Sequence, residues 1–256
     1  MNEKKMKSVK ELATLSRGHL VGKYGTSILA SILVLGIQLI VTFIATSGSV
    51  TSIGTYFLRL AISVIIDLLT GILIYGQCYF YLKLVRCQDT LTASDVFYGF
   101  KNNIDKAVMV QLVFTLASVI GTIPAILINL GVIPVTDDNY YGLAGFIYLF
   151  ELLVLMLVKL FLFPAFYVLC DNPELGVTDI LKKSYELMAN KKGRLFLTYL
   201  SVVPYMILGF CACFVGVIWV YTYAQTLLAN FYLDVIGEDP HSPVTEGEAP
   251  NSDYTI

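Results

Sequence analysis

An all-α polytopic membrane bundle of six transmembrane helices, joined by short amphipathic interfacial helices, is what the sequence predicts, and three observations predict it. Apolar residues make up 57% of the 256 and the mean hydropathy is +0.73, more apolar surface than a soluble domain of this size buries. Five apolar stretches are long enough to cross a hydrocarbon core of about 30 Å, which takes about 20 residues of helix. Fifteen of the seventeen Lys and Arg fall in alternate connections, the asymmetry that the positive-inside rule describes.

The stretches run over about 24–46, 55–82, 107–129, 143–169 and 195–236. Helices, rather than strands, satisfy every backbone polar group within one segment in lipid. The last run is too long for one helix, and Gly209 and Gly216 bracket a turn near Cys211 to Val215, giving spans 195–212 and 215–236. Basic residues precede the first span (Lys4, Lys5, Lys7, Lys10, Arg17, Lys23), follow the second (Lys83, Arg86, Lys101, Lys106) and follow the fourth (Lys182, Lys183, Lys191, Lys192, Arg194). The longest of the other connections, Asn129 to Gly142, carries Asp137 and Asp138 instead. Both termini are therefore expected to be cytoplasmic. Residues 1–236 read as one transmembrane domain. Residues 237–256, Pro-rich and acidic through Glu238, Asp239, Glu246, Glu248 and Asp253, read as a disordered cytoplasmic tail that cannot offset its ordering entropy. No cleaved signal peptide is expected, because further apolar spans follow the first.

Each cytoplasmic stretch ahead of an odd-numbered span has the same construction, which suggests a threefold internal repeat. Glu11, Asp95 and Asp179 stand at equal intervals of 84 residues. Ser8-x-x-Glu11 forms a capping box, Thr92-x-x-Asp95 an Asp version of one, and Thr178-Asp179 offers a cap in the third copy. Apolar residues at helical spacing follow each: Leu12 and Leu15; Val96, Phe97 and Phe100; Ile180, Leu181 and Met188. These helices should lie at the inner interface, apolar face toward the acyl chains or the bundle. The even spans end alike, on Phe80-Tyr81, Phe166-Tyr167 and Phe231-Tyr232, which suits residues at headgroup level where each span leaves the membrane.

Three motifs carry a resemblance to a known family. Leu84-Val-Arg86-Cys-Gln-Asp-Thr-Leu-Thr-Ala-Ser-Asp95-Val-Phe97-Tyr-Gly99-Phe100 resembles the "LxRG…sDLFxGF" loop of a bacterial membrane family, domain of unknown function 975. Tyr167-Val-Leu-Cys-Asp171-Asn172-Pro173 is similar to its "YILADNP", and Tyr223-Ala-Gln-Thr226-Leu-Leu-Ala229-Asn-Phe231-Tyr232 to its closing "PYxxxTxAxFY". Cys87 stands where the family has Gly and Thr222 where it has Pro, so the turn and kink supplied by those residues need another source here. The resemblance implies a six-span bacterial plasma-membrane protein and no activity.

Ionisable groups at bilayer depth are the default functional candidates, because an unpaired one costs several kcal/mol. Arg59 and Asp67 lie in the second span, Glu151 and Lys159 in the fourth, with signs in opposite order at equal spacing. One register sets Arg59 beside Glu151 and Asp67 beside Lys159 as two interhelical salt bridges. A second, anchored on the Phe-Tyr pairs, brings Asp67 and Glu151 to one depth, able to share a proton or a cation, and leaves Arg59 near the outer interface. These four form a candidate charge network, structural or transport.

No catalytic, metal or cofactor set is expected. His19 and His241 have no partner at metal-site spacing, and the five cysteines form no framework and read as reduced apolar residues. The basic surplus is too small for a nucleic-acid footprint. The function favoured by the sequence is a non-enzymatic scaffold, regulator or partner subunit, with the lipid bilayer and a protein at the cytoplasmic face as partners. The alternative is a small-molecule or proton-coupled transporter, for which Pro164, Pro204, Gly71 and Gly76 also speak. A membrane enzyme acting on lipid is the third class, with Asp171, Glu174 and Asp179 as its acids.

Overall fold

The computed structural model describes residues 6–47, 52–88, 90–130, 132, 140–211 and 215–238. These residues form helices α1 (Val9–Leu20), α2 (Tyr24–Thr46), α3 (Ile53–Val85), α4 (Ile104–Asn129), α5 (Tyr140–Leu162), α6 (Ala165–Asp171), α7 (Val177–Leu187), α8 (Lys192–Cys211) and α9 (Val215–Ile236). A 3₁₀ helix, η1 (Ala93–Phe100), precedes α4, and the described residues contain no strand. Five stretches are long and apolar enough to cross a membrane: α2, α3, α4, α5 continued through α6, and α8. The protein is a multi-pass membrane helix bundle. The sixth expected span, α9, is a helix of 22 residues that carries Tyr, Thr, Gln and Asn side chains and is not among those five.

The division of the last apolar run falls between Cys211 and Val215, and the turn itself lies outside the described residues. Gly209 and Gly216 do more than flank it. A Cβ on Gly209 would sit 3.0 Å from the Gly216 carbonyl carbon, so the two glycines let α8 and α9 touch through their backbones. Pro164 breaks the fourth span between α5 and α6, as a residue without an N–H does, whereas Pro204 and Pro124 sit inside continuous helices.

Short helices precede α2, α4 and α8, as the spacing of Glu11, Asp95 and Asp179 predicts, but their starts differ. In α1 the capping box is complete: Glu11 N–H donates to Ser8 Oγ at 3.3 Å and Ser8 N–H to Glu11 Oε2 at 2.5 Å. At η1 the Asp95 carboxylate receives the Thr92 N–H at 2.9 Å. The third differs from expectation, because α7 is capped at Gly176 without a side-chain bond, and Thr178 and Asp179 fall inside its first turn. All three turn apolar faces to the bundle, burying Leu12 and Leu20, Val96, and Ile180 completely or nearly so.

The core sits at one end, the end that carries the basic connections. Here α3 is central. At 1.5 Å per residue its 33 residues run about 50 Å, and every buried residue lies between Gly71 and Val85. Around that segment pack η1, α4, α6 and α9. At the other half, Leu39, Ile40, Phe43, Leu58, Leu149 and Leu153 are exposed, as side chains facing lipid must be.

The Phe-Tyr pairs correct the sequence reading. All six rings are buried, none more than 6% exposed, so they are core and not a headgroup belt. Tyr167 stacks on Tyr232 with centroids 5.0 Å apart, and Phe166 on Phe114 at 6.0 Å. The helix ends face inward because three spans converge there, and stacked rings fill the volume better than they would as a lipid-facing rim.

Two glycines lock η1 onto α3. A Cβ on Gly76 would meet the Val96 carbonyl oxygen at 1.9 Å, and one on Gly99 the Ile72 carbonyl oxygen at 2.2 Å. Tyr98 then stacks on Tyr79, centroids 3.7 Å apart.

Candidate functional site

At the basic end, two helix termini are built alike. Cys87 takes φ +52°, with its N–H bonded to Leu84 O and the Gln88 N–H bonded to Lys83 O, both at 3.1 Å. Gly237 takes φ +79°, with the Glu238 N–H on Leu233 O at 2.9 Å. Both are Schellman endings, which satisfy the last carbonyls and reverse the chain. They aim Arg86, at the end of α3, and Glu238, just past α9, at each other.

The Arg86 guanidinium takes two carboxylates. Nη1 and Nη2 donate to Asp171 Oδ1 and Oδ2 at 2.8 and 3.0 Å, while Nε and Nη2 donate to Glu238 Oε1 and Oε2 at 2.9 and 2.7 Å. Tyr232 OH also donates to Asp171 Oδ2, at 2.9 Å. Burial alone would lower the Arg86 pKa, but the hydrogen bonds to Glu238 and Asp171 and their charges outweigh it and leave the pKa above its ordinary value. The turn after Asp171 is held too: Lys106 Nζ donates to Pro173 O at 2.5 Å and Lys183 Nζ to Asn172 Oδ1 at 3.0 Å.

Two more ion pairs complete this end. Lys83 reaches Asp95 at 2.9 Å, and Arg194 reaches Asp234 at 2.5 Å. Asp234 also accepts the Lys7 N–H at 3.1 Å, tying the segment before α1 to α9. Burial lowers the pKa of Lys191 beside them, against the opposing charge of Asp234.

Three of the four intramembrane charges, Asp67, Glu151 and Lys159, lie farther along the bundle, around two cavities. One, of about 440 Å³, is lined by both Asp67 and Glu151 with Ser63, Thr70 and Thr122. The other, of about 420 Å³, is lined by Asp67 and Lys159 with Gln38, Gln77, Gln111 and Gln225. Gln38, Asp67 and Ser118 border both. Asp67 accepts a hydrogen bond of 2.5 Å from Thr115 Oγ1. Among the described residues no ion pair joins Asp67, Glu151 and Lys159 to one another. Glu151 comes close to α4 because Gly121 has no Cβ: one there would lie 3.1 Å from Glu151 Cα. Asp67 and Glu151 line one cavity, and Arg59, two turns from the start of α3, lines neither.

Tyr221 and Gln225 border the second cavity, and Gln77 Nε2 donates to Tyr221 OH at 2.7 Å across the bundle. Thr222, on the next face of α9, belongs to a buried hydroxyl chain, with Ser31 Oγ 2.7 Å from its own hydroxyl and 2.8 Å from Tyr81 OH. Asp137 and Asp138 lie outside the described residues, as does the tail from Asp239 onward.

The three motifs that carried the resemblance thus meet at one point, through Arg86, Asp171 and Tyr232. A family model described as a protein of unknown function, DUF975, matches residues 6–239. The chain belongs to that family. No curated protein and no solved structure matches it. The family's motif residues acquire physical roles here: Arg86 and Asp171 fasten α3 to α6, Asp95 caps η1 and holds Lys83, and Gly99 allows the backbone contact with α3. Sequence reading placed Arg86, Lys83 and Arg194 among the topology-setting charges and missed their partners. The available signal was that Asp95 and Asp171 lie just beyond apolar spans and Asp234 in the last turn of one, where a carboxylate near Lys and Arg has a partner at hand.

Proposed function

We propose that this protein is a carrier of small polar solutes, and that Asp67 stands at the centre of its path. The single observation behind the reading is that two cavities within the spans, together lined by side chains of α2, α3, α4, α5 and α9, both border Asp67. A bundle that served only as scaffold gains nothing from carboxyl, ammonium and amide groups around open space at bilayer depth, where each costs several kcal/mol unless paired or wet. The ion pairs of Arg86, Lys83 and Arg194 tie the helices together at the basic end, which favours entry to the cavities from the other end. The positive-inside distribution supports a cytoplasmic location for that end and for both termini, and the plasma membrane is the membrane that the family resemblance implies.

A cysteine placed at Ser118, which borders both cavities, tests this. In a background with Cys78, Cys211 and Cys213 replaced by Ser, a membrane-impermeant maleimide added outside should label S118C in sealed right-side-out vesicles, and Asp67→Leu should slow the labelling. Absence of labelling in the folded protein means a dry interior and returns the reading to scaffold or partner subunit.

A further inference from the structure

The second cavity shows what kind of solute it suits. Asp67 and Lys159 bring opposite formal charges to one space of about 420 Å³ and are not paired with each other. Two charges left apart in the membrane are expensive, and bringing them together would be the cheap solution if they existed only to hold helices. Gln111, 5% exposed, lines the same space and has no hydrogen-bond partner among the described residues. Its amide therefore keeps both its donor and its acceptor for whatever enters that space. Its position is built deliberately: Gly71 leaves room for it, since a Cβ there would fall 2.3 Å from Gln111 Cβ. Phe114 and Phe166, stacked on each other, form an apolar wall of the cavity.

From these groups we infer that the cavity binds a zwitterion of the α-amino acid type. The ammonium group meets the Asp67 carboxylate, whose other polar contact is the Thr115 hydroxyl. The solute carboxylate meets the Lys159 ammonium. Gln111 supplies the amide that bonds to either polar end, and the side chain lies along Phe114 and Phe166. The volume falls in the range of small-molecule sites, about 300–1,000 Å³. This inference rests on the reading of the cavity as a solute site, and the experiment separates the two.

The test is thermal unfolding of the purified full chain in detergent, followed by tyrosine and Trp219 fluorescence, with each common α-amino acid added in turn. Every amino acid that stabilises is then compared with its decarboxylated amine and its deaminated acid. At least one amino acid should bind, about tenfold more tightly than either half-molecule, because a site built around two charges leaves one unpaired when half is missing. D67N should erase the advantage over the deaminated acid, and K159Q the advantage over the amine. No stabilisation by any amino acid, or equal stabilisation by an amine or an acid, overturns the inference, and these comparisons need only the unmodified protein should a variant fail to fold. Proteoliposomes that take up a radiolabelled solute mixture without stabilisation by amino acids keep the carrier and lose the zwitterion. Stabilisation by an amino acid that does not cross the bilayer keeps the zwitterion and loses the carrier.

Discussion

Arg86 and Asp171 meet fork to fork, at 2.8 and 3.0 Å, across 85 residues of sequence. The pair joins the end of α3 to the end of α6, and Glu238 lies against the remaining edge of the guanidinium. Arg86→Ala leaves the Asp171 carboxylate without its cation and should cost about 3 kcal/mol. Arg86→Lys should recover only part of this, because an ammonium cannot hold both oxygens in one plane. Glu238→Ala, removing a partner that is 39% exposed, should cost under about 1 kcal/mol and the loss should shrink in salt. A double-mutant cycle on Arg86 and Asp171 by thermal unfolding checks the coupling, and additive losses would contradict it.

Cys87 sits in the left-handed region at φ +52°, where the family has glycine. A side chain there costs about 1–2 kcal/mol. Cys87→Gly should therefore raise the unfolding midpoint, by about 1 kcal/mol of stability, although it removes a side chain. Cys87→Val should lower it. A Cys87→Gly variant no more stable than the parent would show that the cysteine's own contacts compensate.

Gly76 and Gly99 admit no substitution. A methyl group at either position meets a backbone oxygen at about 2 Å, so Gly76→Ala and Gly99→Ala should each cost at least about 3 kcal/mol and reduce folded yield. Gly193 provides the contrast. It lies in the first turn of α8 with nothing within 4 Å of its added Cβ, and Gly193→Ala should be neutral or stabilising by under about 1 kcal/mol. Monodispersity after solubilisation separates the two classes.

Thr222 replaces the family's proline with a hydroxyl that donates to Ile218 O at 2.8 Å and lies 2.7 Å from Ser31 Oγ. Thr222→Val keeps the shape and breaks the chain of hydroxyls, so a loss of about 1 kcal/mol is expected. Restoring proline should cost more than Val, since α9 runs unbroken through this position and proline removes its N–H.

Periodicity made the spans legible, because a helix in lipid has to be apolar along its whole length, and the capping residues Ser8 and Asp95 marked two of the short helices. The start of α7 was not legible: Gly176 caps it through backbone conformation, which leaves no side-chain signature. Nor was the burial of Tyr81, Tyr167 and Tyr232, since a ring at a helix end reads the same whether it faces headgroups or a neighbouring helix. The cavities were half visible. The charges Asp67, Glu151 and Lys159 were conspicuous in apolar runs, but their mutual register depends on how deep each helix sits and on the close approaches of α4 at Gly71 and Gly121, which only the packing reveals. The Arg86 to Asp171 pair was hidden because positive charges beside spans have a sufficient explanation in topology alone.

The contact of Gly76 and Gly99 with opposing backbone has no rotamers to change. It is intact or absent, with no intermediate adjustment, and so the basic end acts as the stator of the molecule. Conformational freedom is left to the other half, where Leu39, Phe43, Leu58 and Leu149 pack against lipid and not against protein. Hydrocarbon thickness, at a cost of fractions of a kcal/mol per Å of mismatch, therefore sets how wide that half stands. On the carrier reading, the membrane itself would be the variable that tunes the opening of the cavities.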